Sequence, residues 1–348
     1  MMKALFAKGE FQFDIREMPV PSPKEGEVLV KVRACGVCGT DLHISKNWKE
    51  DYAPLGHEIS GEVVEVGKGV HGYKPGDKVI VEDVAQCGVC SDCKNGATYK
   101  CRSGPTLNGQ PGMSEYLCVD YRMLNHFDGI DFVNASLVEP CAVSINAVLN
   151  AKVQLGSNVV VLGHGPIGLM CVRIAKLMGA AKVALVGTSG KNKKGAARFK
   201  AGEKMGADKI IESSETDAVE AVKSYFKGGA DSIIVTSPPE TLPDAIKMAR
   251  YGGVISIAGI DLGGRSKVEI DVNELIFNKI TINSTFAEPA QSFPTSIKLI
   301  REGLLDAGSI ITHTFSFEEA PEIIRKCFSG DEGIVKAVLV PSDTDKVR

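Results

Sequence analysis

Four cysteines fall within fifteen residues, Cys87-x2-Cys90-x2-Cys93-x7-Cys101, and no packing argument explains that density. The short spacings let neighbouring thiols face one ion, and four soft thiolates complete a tetrahedron with no position left for a substrate. Such a closed site exists to fold its own loop, because metal-binding energy becomes folding energy. An iron–sulfur run would place three residues before a final Cys-Pro, whereas this chain has seven and continues with Arg102. The loop also lacks the basic and aromatic character of a nucleic-acid ribbon. A structural zinc is expected here.

A second metal site is spread along the chain. Cys38 of Cys38-Gly-Thr-Asp41 offers a thiolate, His57 of Gly56-His57-Glu58 an imidazole, and Glu58 or Glu139 a carboxylate. A mixed S/N/O set with few protein ligands leaves a coordination position open, which a catalytic zinc requires. Taken singly, the histidine reads as structural, the cysteine as buried filler and Glu139-Pro140 as a turn. Their joint presence makes the case. Cys35, Cys118, Cys141, Cys171 and Cys327 sit among apolar or small neighbours and read as buried hydrophobes.

The third signal is Gly163-x-Gly165-x-x-Gly168, which directly follows the β-branched run Asn158–Leu162 and opens a helical pattern over 166–179. In that context Gly163 permits a tight turn, Gly165 lets backbone approach a pyrophosphate, and Gly168 allows close helix–strand packing. Pro166 and Ile167 open the helix, whose N–H groups and dipole favour the anion. The next strand, from Lys182, ends at Gly187, where an acid would bind the ribose hydroxyls of NAD(H). Thr188, Ser189, Lys191, Lys193 and Lys194 follow instead, a set that suits a 2′-phosphate and favours NADP(H) over NAD(H) by a small margin.

At 348 residues the chain has room for two domains. Residues 1–150 are rich in Gly and Val, with strands expected at 27–34, 61–66 and 78–81, and read as a β-rich domain. Residues 151–287 alternate apolar strands with helical stretches, as in a doubly wound parallel sheet. A strand at 279–286, a helix near 291–302 and a strand at 335–340 follow, with 288–348 returning to the first domain. The formal charge of −3 gives no broad basic field, so nucleic acid is not an expected partner. No uninterrupted apolar run approaches the roughly 20 residues of a membrane span, so no membrane partner is expected. Charge enters the N-terminal stretch too early for a secretory signal, and a cytoplasmic location is the expectation.

In combination, Cys38-Gly-Thr-Asp41-Leu-His43, Gly56-His57-Glu58, the four-cysteine loop, Glu139-Pro140 and the glycine fingerprint resemble the medium-chain zinc alcohol dehydrogenase family. The similarity spans almost the whole chain. It implies a GroES-like catalytic domain, a Rossmann domain, an active site in the cleft between them, and a homodimer or homotetramer. Glu139-Pro140 resembles the polyol branch, the sorbitol and sugar-alcohol-phosphate dehydrogenases. By that resemblance Cys38, His57 and Glu139 bind catalytic zinc, Glu58 is the carboxylate that can replace a ligand, and Asp41 orients His57. Thr40 accepts the proton of a secondary alcohol and passes it through the cofactor ribose to His43, while hydride moves to nicotinamide. Threonine and butanediol dehydrogenases are the alternative enzymes, and a noncatalytic NADP(H)-binding protein is the alternative outside catalysis. Lys46, Lys49 and Arg102 are candidate partners for a substrate phosphate.

Overall fold

The computed structural model of the chain describes residues 1–48, 50–189, 192–289, 291–330 and 332–341. It divides into two compact units. The first comprises Met1–Ala142, Ala287–Ser329 and the segment from Lys336 onward; the second comprises Val143–Phe286 and Gly330–Val335.

The first unit begins with an antiparallel hairpin of β1 (Met2–Lys8) and β2 (Gln12–Met18), flanked on its other edge by the short β4 (Ala53–Pro54). Between these comes β3 (Glu27–Gly36), whose Val28, Leu29, Val30 and Val32 are all buried. It pairs antiparallel with β5 (Glu58–Val66) and β7 (Tyr116–Asp120). β6 (Lys78–Val81) follows β5 across the sheet and pairs with β8 (Leu124–His126).

The second unit is built on β9 (Asn158–Leu162), β10 (Lys182–Gly187), β11 (Lys209–Glu212), β12 (Ala230–Val235), β13 (Ala249–Ile257) and β14 (Thr281–Ser284). All pairings are parallel, in the order β11-β10-β9-β12-β13-β14. Val159, Val160 and Val161 are fully buried, as a strand covered on both faces demands. The order reverses between β9 and β12, so the first βα turn lies at the topological switch point, where doubly wound sheets bind ligands. β14 ends the sheet as an edge strand.

The chain closes in the first unit with β15 (Ile311–Phe315) and β16 (Lys336–Leu339), completing a seven-stranded sheet ordered β15-β16-β3-β5-β6-β8, with β7 on β3. Glu139-Pro140 is no turn. It lies in the first turn of the helix Val138–Asn150, where proline's missing N–H costs no helical bond. The stretch Phe132–Asn150, 19 residues with mean hydropathy 1.4, has the length and apolarity of a membrane span, but 72% of it is buried inside the fold. It is not an uninterrupted apolar run, because Asn134, Ser136, Glu139 and Ser144 break it.

Candidate active site

Cys38 sits with extended backbone as the N-cap of the helix Gly39–Asn47. Asp41, one turn in and 1% exposed, accepts from the Cys38 N–H at 2.8 Å and, through its other oxygen, from the Gly56 N–H at 2.8 Å. A single buried carboxylate thus ties together the segments carrying Cys38 and His57. The family resemblance implies that Asp41 orients the imidazole; its hydrogen bonds go to backbone, and it acts on His57 through charge. At Gly56 φ is +90°, and a Cβ would lie 2.7 Å from Cys35 Sγ and from the Met113 nitrogen, so only glycine fits this turn.

The outcome is that ligand atoms of Cys38, His57 and Glu58 lie within 4.8 Å of one another. Burial alone would hold the His57 pKa down, but Cys38, Asp41 and Glu139 outweigh it and raise it well above the ordinary histidine range. Glu139 is buried and electrostatically coupled to His57, though its oxygens are not part of the close trio. Burial pushes its carboxyl up to about 8, Asp83 and Glu58 act in the same sense, and His57 and Lys336 oppose them. A thiolate, an imidazole and a carboxylate around one point, with a second buried carboxylate acting on the imidazole, suit a divalent zinc ion.

Three neighbours escape a motif search. Lys336 is 3% exposed; its ammonium donates to Glu58 Oε1 at 2.6 Å and to the Val37 carbonyl at 2.8 Å. Its sequence signal is a lone cation in the apolar run Val335-Lys-Ala-Val-Leu-Val340. Close by, burial and Asp83 together raise the Glu288 pKa to about 7, and Asp83 also raises that of Glu139. No spacing rule points to these two acids.

Thr40 is exposed, with its hydroxyl oxygen 3.8 Å from Cys38 Sγ. His43 lies on the same helix, its Nδ1 3.5 Å from the Asn47 amide. The Lys46 ammonium sits over the Phe328 ring at 4.1 Å. Lys49 and Lys191 lie outside the described residues.

In the four-cysteine loop, ligand atoms of Cys87, Cys90, Cys93 and Cys101 also gather within 4.8 Å. Cys87 Sγ and Cys93 Sγ are 3.9 Å apart, against about 3.8 Å for the edge of a tetrahedron with Zn–S near 2.3 Å. Backbone N–H groups of Val89 and Cys90 donate to Cys87 Sγ at 3.5 and 3.3 Å and lower its pKa to about 6. No cysteine is in a disulfide, and the five outside the two candidate metal sites are buried.

In the second unit the fingerprint forms a cradle. Gly163 has φ +113°, and a Cβ on Gly168 would meet the Gly163 carbonyl at 1.9 Å. A Cβ on Gly165 would meet nothing within 4 Å, so the space beside the start of the helix Pro166–Leu177 is open. These residues fit a dinucleotide pyrophosphate. At the end of β10, Thr188 is exposed, but the Ser189 hydroxyl donates to Glu212, which stands opposite Gly187 on β11. The hydroxylated loop expected to greet a phosphate is therefore partly committed to an internal acid.

Residues 24–128 match the alcohol dehydrogenase GroES-like domain and residues 166–302 the zinc-binding dehydrogenase domain. The chain is 32% identical to sorbitol dehydrogenase of Bacillus subtilis (strain 168), with 98% of each chain covered. It is 33% identical to L-threonine 3-dehydrogenase of Pyrococcus furiosus, covering 93% of this chain and 95% of that one. A solved chain from Sinorhizobium meliloti 1021, bound to NADP, is similar at TM-score 0.86 and 30% identity, with 98% and 99% covered.

Proposed function

The chain belongs to the medium-chain zinc-dependent alcohol dehydrogenase family, a nicotinamide-dependent oxidoreductase, and from that premise we propose reversible oxidation of a secondary alcohol in a polyol, sugar alcohol or sugar-alcohol phosphate. The observation that carries this reading is the convergence of Cys38, His57 and Glu58, with buried Glu139 beside them. Zinc supplies Lewis-acid polarisation of a substrate hydroxyl when bound, and nicotinamide supplies the hydride acceptor.

Cys38, His57 and Glu139 hold the catalytic zinc. Glu139 is preferred over Glu58 because Glu58 already has a cation: the Lys336 ion pair neutralises it, whereas burial leaves Glu139 in need of one. Glu58 then stands as the reserve carboxylate. Thr40 accepts the proton of the substrate hydroxyl, and His43, four residues from Asn47 and three from Thr40, relays it onward. Cys87, Cys90, Cys93 and Cys101 hold a second, structural zinc. NADP(H) is the preferred coenzyme, supported by the missing acid at Gly187 and by Lys193 and Lys194, which open the helix Lys193–Met205 just beyond it.

The resemblance to sorbitol dehydrogenase supports polyols, and that to L-threonine 3-dehydrogenase makes a 3-hydroxy amino acid the second reading. A panel of polyols, polyol phosphates, threonine and butanediol, each with NAD+ and NADP+, tests both. The proposal expects the highest kcat/KM for a polyol or its phosphate with NADP+. Turnover confined to threonine would replace it.

A further inference from the structure

Inside the fingerprint, the residue between Gly163 and Gly165 is His164, a large polar side chain where the motif demands nothing. It is 8% exposed, and its Nε2 is buried with no hydrogen-bond partner among the described residues. The ring lies against two features of the neighbouring strand and helix. Phe199 packs on it with centroids 4.9 Å apart. Gly187 lies beneath it, so that a Cβ at 187 would fall 2.5 Å from His164 Cγ and 2.8 Å from Nδ1 and Cδ2. Separations under 3 Å are far inside van der Waals contact, and a ring boxed in by Phe199 cannot swing away freely. The helix that begins after Asn192 packs equally tightly: a Cβ at Gly195 would lie 2.3 Å from Ser189 Cα. Charge converges as well, since Arg198 and Lys194 both act on the imidazole.

We infer that His164 is a specificity-determining positioning residue of the adenosine-ribose pocket, occupying the volume that an acidic side chain at 187 would need. With that volume filled, the carboxylate that holds the ribose diol of NAD(H) has no place, and the cations at 194 and 198 face the ribose of a coenzyme carrying a 2′-phosphate. This inference rests on the proposed NADP(H) preference and supplies its steric cause. Glu212, opposite Gly187 on β11, is drawn towards the loop, where Ser189 N, Ser189 Oγ and Ser214 Oγ all donate to its Oε1.

The test is a double-mutant cycle on the zinc-loaded full chain, with NADP+ and NAD+ dissociation constants measured by calorimetry and folding followed by circular dichroism. Gly187→Asp alone should weaken NADP+ binding at least tenfold without gain for NAD+. His164→Ala with Gly187→Asp should bind NAD+ at least tenfold tighter than Gly187→Asp alone. Gly187→Ala provides the same reading if the aspartate variant does not fold: it should lower the melting temperature, and His164→Ala should restore it. Additive effects at 164 and 187, with wild type preferring NADP+, would overturn the inference alone. A wild type that prefers NAD+ would overturn the coenzyme reading beneath it.

Discussion

Glu58 and Glu139 are two buried acids beside one histidine, and a lysine decides between them. A carboxylate paired with buried Lys336 tolerates burial; removing the lysine strands it. Lys336→Met should therefore destabilise the metal-stripped protein by roughly 3 kcal/mol or more, and Lys336→Met with Glu58→Gln should recover most of that, read by denaturant unfolding. His164 gives a second prediction. Burial first, then Arg198, hold its pKa down at about 4, below the unfolded value near 6.5. The unfolded chain thus binds the extra proton between those values, so stability falls as pH drops from about 6.5 to 4, by roughly 3 kcal/mol in all. His164→Ala should flatten this part of the stability–pH curve; an unchanged slope would contradict the assignment. Residues of this kind were the least legible in the sequence. Cys38, His57 and Glu139 announce themselves as ligand types in a spaced pattern, whereas Lys336, His164 and Glu212 acquire meaning only once another strand lies beside them.

Among elements, legibility followed burial. β9, β10 and β12 are apolar on both faces and stand out as uninterrupted runs. The β1–β2 hairpin does not, because β2 is half exposed and its turn places Glu10 and Phe11 at φ of 60° and 56° with no Asn-Gly signal. The helix Val138–Asn150 was hidden by a proline that reads as a turn yet occupies a first-turn position. The four-cysteine loop was legible from spacing alone. It contains only a four-residue helix and a three-residue 3-10 turn, too little regular structure to hold itself. Cys90→Ser should cost one zinc per chain, render the loop sensitive to limited proteolysis and lower the melting temperature, while the catalytic zinc remains.

At the scale of the molecule, the second unit's sheet ends in β14, whose outer edge has no partner strand among the described residues, and Tyr251, Ile276 and Phe277 nearby in the chain are 62%, 63% and 74% exposed. An open edge beside exposed apolar side chains invites a second copy. A homodimer or homotetramer is accordingly proposed, and Ile276→Asp with Phe277→Asp should shift the species seen by light scattering towards monomer. Metal removal should act in two stages, because an open site exchanges its ion more readily than a closed tetrathiolate: mild chelation is expected to abolish turnover before the melting temperature falls.

Transfer of deuterium from a C-deuterated polyol to NADP+, followed alongside zinc content in wild type and Cys38→Ser, bears most directly on whether this ion site performs the oxidation. Wild type should carry two zinc ions per chain and yield labelled coenzyme. The variant should keep one zinc, still bind NADP+, and transfer deuterium at least about a thousandfold more slowly, equivalent to roughly 4 kcal/mol of lost transition-state stabilisation. A variant that transfers the label at the wild-type rate would contradict the assignment of hydride chemistry to Cys38, His57 and their carboxylate.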